Sequence, residues 1–147
     1  MKRRTLLKAS IAAGAGLLIP GQVLAKWPAS AFEAKGIDAA LTASVGTGSS
    51  TESDKVKIKA PDIAENGAVV PVTVSTTLDG VESISILAEK NATPLIATFV
   101  LGEGAEGYAA TRIKMGKTSN VIVAVKANGK LYSATKEVKV TIGGCGG

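Results

Sequence analysis

Residues 119–142 read SNVIVAVKANGKLYSATKEVKVTI. Ser119 to Lys126 is dense in valine and isoleucine, whose branching at Cβ suits a pleated, half-buried surface. Leu131 to Ile142 continues in valine, threonine and isoleucine. Between the two runs stands Asn128-Gly129. A two-residue type I′ turn needs positive φ at both central positions, which asparagine and glycine tolerate best. The stretch therefore predicts a β-hairpin.

Towards the N-terminus the same chemistry recurs. Lys55 to Ala60 alternates polar and apolar residues, the period of a half-buried strand. Gly67 to Thr76, Glu82 to Ala88, Leu95 to Leu101 and Tyr108 to Met115 supply further strands. Turn signals separate them: Asn66-Gly67, Asp79-Gly80, Asn91 to Pro94, and the glycines at 102, 104 and 107. Short strands at this spacing predict a mainly β protein, an immunoglobulin-like antiparallel sandwich of about seven strands. The Cys-Trp-Cys core of antibody domains is missing, so the expectation concerns architecture and not antibody kinship.

Ahead of the strands, residues 29–45 read as one short N-terminal helix. Ser30 and Glu33 are spaced as a capping box, and Phe32, Ala40 and Leu41 supply an apolar face, with Gly36 as the weak point. The polar run GTGSSTESD, 46–54, reads as a linker in which Glu52 and Asp54 serve solubility.

Composition narrows the chemistry. Hydrophobic residues make up 46% of the chain but aromatics only 3%, so the core is built from aliphatic side chains. There is no histidine, which removes histidine acid–base catalysis, His-Cys copper sites and most zinc sites. Of the 17 basic residues, Lys2, Arg3, Arg4 and Lys8 belong to the first ten positions, leaving 13 against 12 acidic residues. A body so close to neutral gives no case for nucleic acid.

Residues 1–25, MKRRTLLKASIAAGAGLLIPGQVLA, have a basic start, an apolar stretch from Ile11 to Ile19 and a small-x-small site at Val23-Leu24-Ala25. These are the parts of a cleavable export signal, and the apolar stretch falls short of the ~20 residues a membrane span needs. Arg3-Arg4 with Thr5-Leu6-Leu7 has the form of a twin-arginine signal. The expectation is export in a folded state to a bacterial periplasm, with Lys26 as the first mature residue and no membrane span in the mature chain.

The only cysteine, Cys145, stands in Gly143-Gly144-Cys145-Gly146-Gly147. A lone cysteine in an oxidising compartment has no internal partner, so it joins another chain or serves as a reactive thiol. Glycine lacks Cβ and accepts either sign of φ. Three residues extend about 3.3–3.6 Å each, so residues 143–145 can hold the sulfur on the order of 10 Å off the body. No Lys, Arg or His is adjacent, and an ordinary thiol is only a few per cent thiolate at neutral pH. With no base, metal site or second cysteine, this thiol is a handle for other enzymes, not a catalyst. The chain divides into a signal peptide (1–25), a helix-plus-sandwich body (26–142) and a flexible carrier arm (143–147).

Other signals read as structure. Gly102-Glu-Gly104-Ala-Glu-Gly107 matches G-x-G-x-x-G, but a strand follows where a dinucleotide site needs a helix. Asn91-Ala92-Thr93 followed by Pro94 reads as a turn, Trp27-Pro28 as a packing or fraying pair, and Arg112 as part of a solvated strand face. No pair of acids suggests glycoside hydrolysis.

Several stretches carry a resemblance: the twin-arginine leader, APDIAENGAVVPVTV (60–74), EKNATPLIATF (89–99), TRIKMGKTSNVIVAVKANGKLY (111–132) and the GGCGG motif. Together they resemble the SoxY family, sulfur-carrying subunits of the periplasmic thiosulfate-oxidising Sox system. The resemblance implies a heterodimer with SoxZ and covalent attachment of thiosulfate to Cys145 by the haem enzyme SoxAX. It implies hydrolytic release of sulfate by SoxB, oxidation of the remaining sulfur by the dehydrogenase SoxCD where present, and a final hydrolysis that frees the thiol. Gly143, Gly144, Gly146 and Gly147 match the family's arm, and no bound cofactor is implied. The alternatives are a periplasmic binding or chaperone sandwich with an incidental tail, and a thiol oxidoreductase. The first predicts that deleting 143–147 leaves activity intact. The second predicts disulfide turnover by the protein alone.

Overall fold

The computed structural model describes residues 28–141. The leader at 1–25, Lys26, Trp27 and the arm at 143–147 lie outside the described residues. All seven expected strands are present: β2 (Val56–Lys59), β4 (Val70–Thr76), β5 (Val81–Ala88), β6 (Leu95–Val100), β7 (Tyr108–Ile113), β8 (Ser119–Ala127) and β9 (Lys130–Val140). Two more, β1 (Thr51–Glu52) and β3 (Ile63–Ala64), are only two residues long.

The hairpin around Asn128-Gly129 forms as its letters require. Asn128 has φ 50° and Gly129 φ 73°, and Ala127 pairs with Lys130 across them. Asn128 also spends its side chain: Nδ2 donates to the Asp79 carbonyl at 2.9 Å, tying this turn to the one before β5.

Two sheets face each other. The larger runs β1-β9-β8-β5-β6, with β3 also on β9, and the smaller runs β2-β4-β7. Alternation does the sorting. In β4, Val70, Val72 and Val74 point inward and are buried, while Pro71 and Ser75 point outward and are exposed. They meet Ile84, Ile86, Val121, Val123, Val125 and Val138 of the larger sheet, all fully buried. Burying an aliphatic side chain is worth about 1.5–3 kcal/mol, so this inter-sheet layer supplies the main cohesion. The result is an immunoglobulin-like β-sandwich.

The N-terminal segment departs from expectation in three ways. It forms two helices, α1 (Ala29–Glu33) and α2 (Ile37–Val45), not one. Ala34 has ψ 138° and Gly36 is extended at φ −122°, ψ 152°. Glycine costs about 1 kcal/mol relative to alanine inside a helix, and the break lets Ala31, Ala40, Leu41 and Val45 all pack on Leu87, Leu95, Ala124 and Leu131 of the larger sheet. Phe32 is half-buried beside them. The capping box does not form either. Ser30 lies inside α1, and Pro28 is the cap residue, with no side-chain cap. Finally, 46–54 is not a slack linker. Thr51 and Glu52 pair in parallel with Tyr132 and Ser133, and Ser50 Oγ donates to Ser133 Oγ at 2.9 Å. The run is a strap along the edge of β9.

Candidate functional site

Cys145 and its glycines follow β9 in sequence and lie outside the described residues, so the structural question is how the strand that leads to them is held. β9 is the longest strand, Lys130–Val140, and its last residues are gripped from two sides. On one side β3 pairs with it in parallel, Ile63 against Lys139 and Ala64 against Val140. Lys139 N–H donates to the Asp62 carbonyl at 2.9 Å and Thr141 N–H to the Ala64 carbonyl at 3.1 Å. Asp62 adds an ion pair to Lys136 at 3.0 Å, a surface contact worth little by itself.

On the other side stands Thr118. Its hydroxyl accepts from Val140 N–H at 3.0 Å and donates to the Val140 carbonyl at 3.4 Å. Met115 N–H donates to the Gly67 carbonyl at 2.7 Å. A Cβ on Gly67 would meet the Met115 carbonyl oxygen at 2.4 Å and Val140 Cγ1 at 2.8 Å, so only glycine fits there.

The neighbouring loops are cross-linked in turn. Asn91 Nδ2 donates to the Lys114 carbonyl at 2.7 Å, and its Oδ1 accepts from Gly116 N–H at 3.2 Å. Asn91 thus joins the β5–β6 turn to the β7–β8 loop, which agrees with the turn expected at 91–94. Residues 141 onward therefore start from a braced point at this end of the sandwich, held by Thr118, Gly67 and β3.

The other sequence signals fall as read. Gly102 to Gly107 is the loop between β6 and β7, with Gly104 at φ 78°. Arg112 is an exposed residue of β7. Glu52 and Asp54 are exposed. Among the described residues no group of three His, Cys, Asp or Glu side chains is placed to hold a metal, and no helix is long and apolar enough to cross a membrane. Thr118 and β3 escaped the sequence reading. Thr118 acts on a residue 22 positions away, and a two-residue strand has no period to detect.

The described residues define a class: a small immunoglobulin-like sandwich whose last strand, β9, is braced at its C-terminal end by β3, Thr118 and Gly67. Comparison with known proteins makes the class particular. The family profile described as "Sulfur oxidation protein SoxY" matches residues 41–145, and the chain belongs to the SoxY family. The sulfur carrier protein SoxY from Chlorobium limicola f. thiosulfatophilum is similar, at 47% identity and TM-score 0.63, over 71% of this chain and 96% of that one. The superoxide reductase (neelaredoxin) from Ignicoccus hospitalis shares the fold alone, at 19% identity and TM-score 0.53, over 59% of this chain and 80% of that one. Comparison with curated protein sequences gives no significant match.

Proposed function

We propose that the protein is a periplasmic sulfur carrier that holds sulfur intermediates covalently on Cys145 and presents them to partner enzymes. The observation that carries this reading is that the SoxY family match runs to residue 145, and so takes in Gly143, Gly144 and Cys145. The 47%-identical relative, itself described as a sulfur carrier, supports it.

The chemistry is divided between the chain and its partners. Joining a thiol to thiosulfate through a new S–S bond releases one proton and two electrons, and SoxAX, a haem enzyme, takes the electrons. Water then cleaves the outer S–S bond under SoxB, releasing sulfate and a proton and leaving one sulfur on the cysteine as a persulfide. In systems that have SoxCD, that sulfur is oxidised further before a last hydrolysis frees the thiol. The chain itself contributes no acid, base or metal to these steps; it is a covalent substrate carrier and not an enzyme. Its part is mechanical: a braced root, the glycines 143, 144, 146 and 147, and one sulfur that a narrow catalytic channel can admit. It works as a heterodimer with SoxZ after export by the twin-arginine route.

The test is genetic and specific. Cells carrying Cys145→Ser are expected to lose thiosulfate oxidation while keeping normal levels of folded protein. Full oxidation in those cells would refute the carrier role.

A further inference from the structure

The outward face of the three-stranded sheet has a composition that its packing does not require. Its outward positions hold Lys57, Lys59 and Arg112, with Pro71, Thr73, Ser75 and Ala110 between them and the exposed Tyr108 at the end away from Arg112. The register places them in rows: Lys59 beside Thr73 and Thr73 beside Ala110, Lys57 beside Ser75, and Pro71 beside Arg112. No acid stands on these strands. Elsewhere on the described surface Lys126 pairs with Glu82 and Lys136 with Asp62, while most other lysines are unpaired, so what sets this face apart is three cations with no acid among its strands. Among the described residues none of Lys57, Lys59 and Arg112 has an ion-pair partner. Asp62, the nearest acid after β2, is engaged with Lys136 of the other sheet.

The small side chains leave a shallow groove. A cavity of about 510 Å³ lies over Pro71, Thr73 and Ala110 with Arg112 on its rim. A second, of about 310 Å³, shares Pro71 and Thr73 and has Lys59 on its rim. The groove ends beside the braced root. Val70 and Ile113, the last pair of the β4–β7 ladder, lead directly to Gly67 and Met115, the contact that abuts Val140.

We propose that this cationic face is the docking surface for an acidic patch on the enzymes that take the arm. Charge complementarity names the occupant. The cations lie on strands two apart, roughly 10 Å across, and do not converge on a point, so they match charges spread over a protein surface and not one small anion. Opposite charges at such a face steer encounter and fix register more than they add affinity. A partner seated here has its surface beside Thr141, from which residues 142–147 continue. The proposal rests on the carrier reading, and adds where the visitor sits.

Association with purified SoxAX and SoxB is measured on the full chain in complex with SoxZ, in a Cys145→Ser background, at low and at physiological salt. Because no sulfur transfer is read, failure of the carrier reading is seen separately, as an unmodified wild-type cysteine. Replacing Lys57, Lys59 and Arg112 with Glu is expected to slow association with at least one enzyme by about tenfold or more at low salt and to remove its salt dependence. The corresponding Gln variant, which leaves the strands' shape intact, is expected to fall between. Wild-type rates with both enzymes overturn the proposal. So does an equal slowing in a control with Lys90→Glu and Lys130→Glu, off this face, because net charge alone would then be responsible. Saturable binding of thiosulfate alone that the triple variant loses, with enzyme association unchanged, assigns the groove to a small anion and likewise overturns it.

Discussion

Gly67 and Thr118 brace the end of β9 by opposite means, one through the absence of a side chain and the other through a hydroxyl. A side chain at 67 would press on the Met115 carbonyl and on Val140, and backbone cannot move aside cheaply. Gly67→Val is expected to cost about 1–3 kcal/mol, read as a lower urea midpoint at constant slope. Thr118→Val keeps shape but loses both bonds to Val140. It is expected to cost about 1 kcal/mol and to speed amide exchange at Val140 more than in β5. Gly129 carries a third expectation. At φ 73° a side chain meets the left-handed penalty, about 1–2 kcal/mol, so Gly129→Val lowers the melting temperature while Lys130→Ala does not. At this scale the turn was legible because Asn-Gly states its own geometry. The brace was not, because a threonine among turn residues says nothing of a partner 22 positions on.

Among elements, the strands followed their letters and the helix did not. Alternation in β2 and β4 fixes which face is inward, and the aliphatic runs of β5 and β8 mark buried strands, so the seven main strands fall close to their expected bounds. The single helix read over 29–45 is two, because packing on Leu87, Leu95, Ala124 and Leu131 outweighs the gain from a continuous helix. Leu41 is the test. It is 2% exposed in that layer, so Leu41→Ala is expected to cost about 2–5 kcal/mol, measured by chemical denaturation. A cost near zero would mean that α2 does not hold to the sheet. The straps β1 and β3 were invisible for a shared reason. Each is two residues long and owes its conformation to β9, a partner that lies far along the chain.

For the whole molecule, the division of labour follows from where cohesion lies. The inter-sheet layer and the helix–sheet layer both anchor on β5 and β8, so these strands are expected to show the slowest hydrogen exchange, with α1 and β1 among the fastest. Uniform protection across the chain would contradict that ordering. Under the proposed function the segment beyond β9 serves sulfur chemistry and not cohesion. Gly144→Val with Gly146→Val is accordingly expected to slow sulfur loading while leaving the melting temperature nearly unchanged; a large drop would show that the segment is packed. The SoxY family was legible in the sequence from the stretches at 60–74, 89–99 and 111–132 together with the GGCGG motif. The docking face was not, since Lys57, Lys59 and Arg112 come together only once β4 lies between β2 and β7.

The most direct measurement is the intact mass of the protein from cells oxidising thiosulfate, before and after treatment with a thiol reductant. Sulfur-containing additions that map to Cys145 and disappear on reduction are the predicted result. A single unmodified mass under every growth condition would contradict the account.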